Sequence, residues 1–101
     1  MMINDEVKAV IEGSPFITLV TVSADGTPHP IIAGKGEVSG DQVIFGIYKM
    51  EVTQKNLQAN DKAWLVGATK DGGPKGYRLF GTAKAVGKQL IFTAQTVEAM
   101  I

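Results

Sequence analysis

The chain has 101 residues, 45% of them hydrophobic, and its ten basic and ten acidic side chains leave no net charge. A chain of this length can build one hydrophobic core, so we expect a single domain over residues 1–101, and the balanced charge does not support binding to nucleic acid or to a membrane surface. The sequence contains no cysteine and a single histidine, His29, which excludes disulfides, thiolate metal ligands, a cysteine nucleophile and a zinc centre built from histidines.

The N-terminal residues are acidic where a signal peptide would be basic. No apolar run approaches the roughly 18 residues that a membrane-spanning helix needs. We therefore expect a cytoplasmic protein.

A short amphipathic helix is predicted first. Asn4 suits an N-cap, and Gly13 followed by Pro15 gives a stop signal. The apolar residues of the segment fall on one face of a helix: Val7, Val10 and Ile11. This helix is expected to lie on an apolar surface.

Six strands are then predicted, at residues 16–22, 29–36, 42–48, 62–68, 77–86 and 90–97. The first is rich in β-branched residues and is expected to be mostly buried. Tight turns join the strands, for example at Asp25-Gly26, and one short helix separates strands 3 and 4. The pattern favours a mainly β fold, a small antiparallel barrel that is closed or partly closed.

Residues 46–60 combine the exit of the third strand, a polar bend and the start of the second helix. A helix N-terminus presents unpaired N–H groups and a partial positive charge, so it can bind a phosphate. Lysines gather beside it, which supports a phosphate site. The alternative is that these lysines are ordinary solvated charges and that Thr53 is a helix cap.

Three segments, in their order and spacing, carry a resemblance to a known family: residues 20–29 (VTVSADGTPH), 53–60 (TQKNLQAN) and 77–83 (YRLFGTA). On the basis of these segments, the chain resembles the pyridoxamine 5'-phosphate oxidase-like, FMN-binding split-barrel proteins, especially the short single-domain members. The resemblance implies a six-stranded antiparallel split β-barrel. It also implies a homodimer that holds FMN in a groove between two barrels, with the phosphate near the end of the third strand and the start of the following helix.

The residues that we assign to FMN on this basis surround that strand end and helix start: Ala33, Gly34, Lys35, Ile47, Tyr48, Lys49, Thr53 and Lys55. Lys35 lies where the oxidases carry a phosphate-contacting lysine on the second strand, and Thr53 matches a position where the family carries threonine or lysine. Tyr48 offers an apolar face that can cover a flat ring, or it packs against the first helix.

The sequence also departs from the family pattern. Val52 stands where many relatives have arginine or lysine, and Glu51 where the oxidases have serine. We infer, independently of the family pattern, that Lys49 and Lys55 supply the missing positive charge.

The leading hypothesis is an FMN-binding flavoprotein, an oxidoreductase or electron carrier that acts on an unidentified small molecule. No catalytic acid, base or nucleophile is predicted, so the chemistry would belong to the flavin. The alternative is a split-barrel domain that has lost flavin and serves as a non-catalytic interaction module. A third possibility is another flat cofactor, a deazaflavin or haem.

Three further side chains have two interpretations each. Trp64 is expected in the core or at the dimer interface rather than against a cofactor. Arg78 is either an anion partner or a surface arginine on the wetter face of the fifth strand. His29 follows a hairpin turn and is expected to be a turn residue rather than a general base.

Overall fold

The structure, a computed structural model, describes residues 2–101. Within these residues, two helices and seven strands follow one another: α1 (Asp5–Gly13), β1 (Thr18–Val22), β2 (Pro28–Ile32), β3 (Glu37–Ser39), β4 (Gln42–Gly46), α2 (Glu51–Ala59), β5 (Lys62–Thr69), β6 (Lys75–Val86) and β7 (Gln89–Ala99). The strands form one antiparallel sheet in the order β2-β1-β5-β6-β7-β4-β3. The mainly β class and the two helices confirm the prediction.

Helix α1 begins and ends as the sequence predicts. The side chain of Asn4 accepts a hydrogen bond from the Val7 N–H at 2.9 Å, which makes it the N-cap. After the last helical residue, the Ser14 hydroxyl donates to the Val10 carbonyl at 2.7 Å. The apolar face of the helix is buried, as expected, and consists of Val7, Val10 and Ile11.

The sheet is strongly curled, because its two edge strands, β2 and β3, are consecutive in the chain. Seven strands laid flat would separate the edges by about 29 Å. Residues 33–36 join them and can span only about 18 Å between Ile32 and Glu37. The sheet therefore bends back on itself, but its edges do not pair and it is not a closed barrel.

The prediction of six strands was wrong in one place. The predicted second strand, residues 29–36, ends at Ile32 as β2, residues 33–36 are a link, and a further short strand, β3, follows from Glu37 on the opposite edge of the sheet. Gly34 has a φ of +81°, which an extended strand does not allow, and this residue turns the chain from one edge to the other.

The core lies between the concave face of the sheet and α1. Strand β1 shows the pattern, because Leu19 and Thr21 are buried whereas the alternate residues are half-buried. The expectation that this strand is mostly buried therefore holds for one face only. The largest fully buried apolar side chains are Phe45, Phe92, Ile11, Ile17, Leu19, Leu65, Leu79 and Leu90. No helix within residues 2–101 has the length and hydropathy to cross a membrane.

Candidate functional site

The junction between β4 and α2 has an unusual backbone. Strand β4 ends at Gly46, two residues earlier than predicted, so Ile47 and Tyr48 lie outside it. Lys49 and Met50 then adopt left-handed conformations, with φ of 64° and 53°. Two consecutive non-glycine residues in this region are uncommon, and such strain tends to occur at binding sites.

The N-terminus of α2 has free hydrogen-bond donors. Its N-cap is Met50, and no side chain caps the helix. The Gln54 N–H donates to the Met50 carbonyl at 2.9 Å, so the three preceding helical N–H groups, at residues 51–53, have no partner within the helix. The suggestion that Thr53 is a helix cap is wrong, because Thr53 is the third helical residue.

A buried polar cluster lies under α2. Asn56 donates from Nδ2 to Thr21 Oγ1 on β1 at 3.1 Å. Thr53, one turn earlier on the same helix face, is fully buried, and its hydroxyl oxygen has no hydrogen-bond partner. The first turn of α2 therefore holds a side-chain donor that lacks an acceptor. Leaving a buried hydroxyl unpaired lowers folding stability by about 1–3 kcal/mol.

Residues 33–35 lie near the start of this junction. The Ala33 N–H donates to the Ile17 carbonyl at 2.8 Å, which attaches the link to the residue before β1. Glu37, the first residue of β3, pairs with Ile44 on β4, so the link ends beside the strand that leads to the junction. Lys35 is exposed and lies in this link, not on the second strand as the sequence suggested.

Residues 47–49 differ in exposure. Ile47 is half-buried against the core, and its N–H donates to the Lys88 carbonyl at 2.8 Å. Tyr48 is 81% exposed, which excludes packing against α1, and the Lys49 ammonium lies 5.7 Å from the centre of its ring. The junction thus presents an open aromatic face beside a cation.

Lys55 lies on another side of α2. It lines a cleft of about 480 Å³ between the helix and the β1–β2 turn, together with Val52 and Asn56. Asp25 lines the same cleft, and hydrogen bonds from the Ser23 hydroxyl and from Thr27 hold the pKa of its carboxyl below the usual range. Lys55 therefore shares its cleft with a carboxylate.

The predicted site residues do not all converge. Residues 47–49 lie at the junction directly before the first turn of α2, residues 33–35 lie in the link that precedes β3, and Lys55 lies in the cleft. Lys88 and Asn56 belong to this region and were not predicted. Asn56 lies inside a segment that carried the resemblance, but no local signal in the sequence brings Lys88, on the β6–β7 turn, to the end of β4.

The remaining candidates lie outside the junction. His29 is half-buried within β2 and pairs with Thr21. Trp64 is half-buried on the sheet face opposite the core, with its ring centroid 5.0 Å from that of Phe80. Of the two expected placements, this excludes the core, and the dimer interface stays a prediction. Arg78 forms an exposed ion pair with a glutamate at 3.2 Å, which agrees with the surface interpretation. Within the described residues, no three acidic or histidine side chains are placed to hold a metal ion.

Comparisons with known proteins address the fold and the family. A family model described as pyridoxamine 5'-phosphate oxidase matches residues 3–100. A search of curated proteins finds no match.

Several solved structures are similar to this one. HupZ from Group A Streptococcus superposes with a TM-score of 0.82 at 20% identity, covering 98% of this chain and 94% of its own. An FMN-binding protein from Syntrophomonas wolfei subsp. wolfei gives 0.79 at 16% identity, over 93% and 83% of the two chains. HutZ, the haem storage protein from Vibrio cholerae, gives 0.69 at 13% identity, over 98% and 95%. At these identities the likeness shows the fold alone.

Proposed function

The chain belongs to the pyridoxamine 5'-phosphate oxidase family, and from this premise we propose that it binds a flavin, FMN in the first instance, at the β4–α2 junction. In this proposal it is a small cytoplasmic oxidoreductase or electron carrier. An FMN-binding protein with the same fold supports the cofactor.

The observation that carries the proposal is the set of unpaired donors in the first turn of α2. Three N–H groups and the buried Thr53 hydroxyl lack acceptors there. Phosphate oxygens accept several such hydrogen bonds at once, and their charge suits the positive end of the helix dipole. Lys35 and Lys49 add positive charge beside the strand end. The donor set therefore fits the phosphate of a flavin nucleotide.

The exposed Tyr48 ring and the residues beside it provide the second part of a flavin site. A tyrosine face that solvent reaches can cover a flat ring, and Ile47 and the link at residues 33–34 form an apolar and backbone surface next to it. A bound flavin would supply electron or hydride transfer. The chain's own residues would hold the phosphate, orient the ring and exclude water.

The outer face of the sheet supports the homodimer in this proposal. Pro30, Val20, Trp64 and Phe80 stand opposite one another in one row across β2, β1, β5 and β6, on the face away from the core. Ile32, at the edge of this face, is 63% exposed. A contiguous apolar surface of this kind is typical of a protein interface. A second copy would cover it and form the groove for the ring.

The test is a visible absorption spectrum of the purified protein, before and after incubation with FMN and desalting. We expect a flavin band that stays with the protein, and a weaker one in the variant Lys35→Ala than in the control Lys8→Ala, which removes an exposed lysine from α1. Equal retention by both variants would move the phosphate site elsewhere. A Soret band would indicate haem instead.

A second candidate is a non-catalytic interaction module of the same fold. Glu51 and Val52 favour it, because the first two positions of α2 provide a negative charge and an apolar side chain where a phosphate needs donors and cations. A colourless protein that retains neither FMN nor haem would support this function.

A further inference from the structure

We propose that both free edges of the curled sheet are closed to the addition of a further strand, so that a second copy of this chain docks on the outer face and does not extend the sheet. Strands β2 and β3 form these edges, and each has a neighbouring strand on one side only. An unpaired edge can pair with another chain, and an open-ended series of such pairings builds fibres. The docking of a second copy rests on the homodimer proposed above, whereas the closure of the edges does not depend on it.

Two prolines close the edge at β2. In the ladder with β1, Pro30 pairs with Val20 and Pro28 pairs with Val22. A proline has no N–H to donate, so these positions suit the pairs of an antiparallel ladder whose backbone groups point away from each other. Both prolines therefore present a carbonyl oxygen, and no N–H, to the free side of β2.

The hydrogen bonds at the two ends of this ladder agree. The Ser23 N–H donates to the Thr27 carbonyl, and the Ile17 N–H donates to the Gly34 carbonyl, both at 3.0 Å. Backbone groups alternate in direction along a paired strand, so the odd-numbered residues of β1 face β2 and the even-numbered ones face β5. On β2, the backbone of the two prolines and of Ile32 then points outward. Ile32 alone of these three has an N–H, which is too few donors for a regular ladder.

A carboxylate closes the edge at β3. Val38 is the central residue of this three-residue strand and pairs with Val43 on β4. Its N–H nevertheless donates to the Glu12 carboxylate of α1 at 3.0 Å, so it points away from β4, to the free side. Glu12 thus occupies the donor that an added strand would need. It also places a negative charge beside the edge, and an incoming strand would have to displace it.

The position of Glu12 in its own helix supports this role. The other two acids of α1, Asp5 and Glu6, lie in the first turn, where negative charge suits the helix dipole. Glu12 is the second-last residue of the helix, where the dipole disfavours a carboxylate. The contact with Val38, 26 residues further along the chain, offsets this local disadvantage.

The outer face differs from the edges because an association there needs no backbone donors. Its apolar row contains Val20, Trp64 and Phe80, which stand opposite one another on β1, β5 and β6. Burial of apolar side chains drives such a contact. With both edges closed, a second copy is directed to this face.

The first experiment measures amide hydrogen exchange by NMR in the wild-type protein and in the variants Glu12→Ala, Glu12→Gln and Asp5→Ala. We expect the Val38 amide to exchange at least about tenfold faster in Glu12→Ala, which removes a charge-assisted hydrogen bond. Glu12→Gln keeps an acceptor oxygen and should retain most of the protection. Asp5→Ala, which removes an exposed acid from the other end of α1, should change nothing at Val38.

The second experiment opens both edges in one variant, Glu12→Ala with Pro28→Ala and Pro30→Ala, in which alanine restores an N–H at each proline position. We expect this variant to form assemblies larger than a dimer that grow with concentration and bind thioflavin T. The wild-type protein and the control Pro74→Ala, in the exposed loop between β5 and β6, should keep one mass. Light scattering measures the mass, and circular dichroism checks that each variant is folded.

Two results would overturn the proposal. The first is a Val38 amide that exchanges at the same rate in Glu12→Ala as in the wild-type protein. The second is a folded variant with both edges opened that keeps the wild-type mass. A monomeric wild-type protein whose Val38 amide does respond to Glu12→Ala would contradict the homodimer and support the closed edges.

Discussion

Thr21 and Thr53 lie beneath the same helix and are both fully buried, yet only one of them has a hydrogen-bond partner. Thr21 accepts from the amide of Asn56 and so links β1 to α2. The unpaired Thr53 hydroxyl stabilises nothing in the chain alone. Such groups are rare in native structures, and a bound ligand that supplies the missing partner is one explanation for this one.

The same substitution at these two threonines should have opposite effects. Thr53→Val removes an unsatisfied hydroxyl and should raise the free energy of unfolding by about 1 kcal/mol, and Thr21→Val leaves the Asn56 amide unpaired and should lower it by about 1–3 kcal/mol. Urea unfolding of both variants measures the difference. Flavin affinity should fall about tenfold in Thr53→Val, the value of one hydrogen bond to a charged acceptor. A destabilised Thr53→Val would show that its hydroxyl has a partner in the folded chain.

Glu6 connects α1 to the start of β6. It accepts hydrogen bonds from the Tyr77 hydroxyl and from the Lys75 ammonium, the latter at 3.1 Å. The Tyr77 hydrogen bond, and after it Lys75, hold the pKa of Glu6 below its usual range, and the Glu6 carboxylate raises the pKa of Tyr77. Folding stability should therefore depend on pH through both groups.

The sign of that dependence differs at the two ends of the pH scale. The Glu6 contribution is complete above the ordinary glutamate pKa, about 4.3, and is lost as the pH falls through the lowered value. The Tyr77 contribution is complete below the ordinary tyrosine pKa, about 10, and is lost as the pH rises through the raised value. Tyr77→Phe should reduce both losses, as measured by thermal unfolding from pH 3 to 11. An unchanged profile in this variant would contradict the role of the pair.

The hairpin of β6 and β7 contains a bulge that a glycine makes possible. Phe80 pairs with Thr96 but Gly81 pairs with Ala94, so one residue of β7 is left between two pairs. A Cβ on Gly81 would lie 1.8 Å from the carbonyl oxygen of Thr93. The bulge bends the two longest strands, and this bend lets the sheet curl.

Gly81→Ala should therefore lower the free energy of unfolding by more than about 3 kcal/mol or prevent folding, because the backbone must move to admit the methyl group. Gly46→Ala is the control, since a Cβ there meets nothing within 4 Å and the residue does not have a positive φ. It should change stability by less than about 1 kcal/mol. Chemical denaturation followed by circular dichroism compares the two. Equal stability of both variants would show that the bulge relaxes without cost.

In the proposed homodimer, the apolar outer face is the interface. Trp64→Lys introduces a charge in the middle of the row formed with Val20 and Phe80, so it should convert a dimer into a monomer while the fold is retained. Ile101→Lys is the control, because Ile101 is 75% exposed and lies in a cleft beside the end of α1.

Light scattering after size exclusion measures the mass of each variant, and circular dichroism checks that it is folded. A wild-type protein that is monomeric at micromolar concentration would contradict the dimer. So would a Trp64→Lys variant that remains dimeric.

Much of the fold follows from local sequence. Asn4 and Gly13 bound α1 as predicted, and alternation of apolar residues located most of the strands. The ends of strands were less accurate, because hydrogen bonding to a neighbour decides where a strand stops. Residues 47 and 48 read as β4 but have no pairing there, and Gly34 divides a segment that its composition made continuous.

For the candidate site too, the features set by local sequence were predictable and those set by tertiary contacts were not. Its helix N-terminus and its lysines were recognisable along the chain, because caps, charges and helix starts depend on residues close in sequence. Four other features were not recognisable from the sequence: the sheet order, the approach of Lys88 to Ile47, the unpaired state of Thr53 and the separation of Lys55 from the junction. Each depends on contacts between residues far apart in sequence, and such contacts exist only after the sheet has curled and α2 has packed on β1.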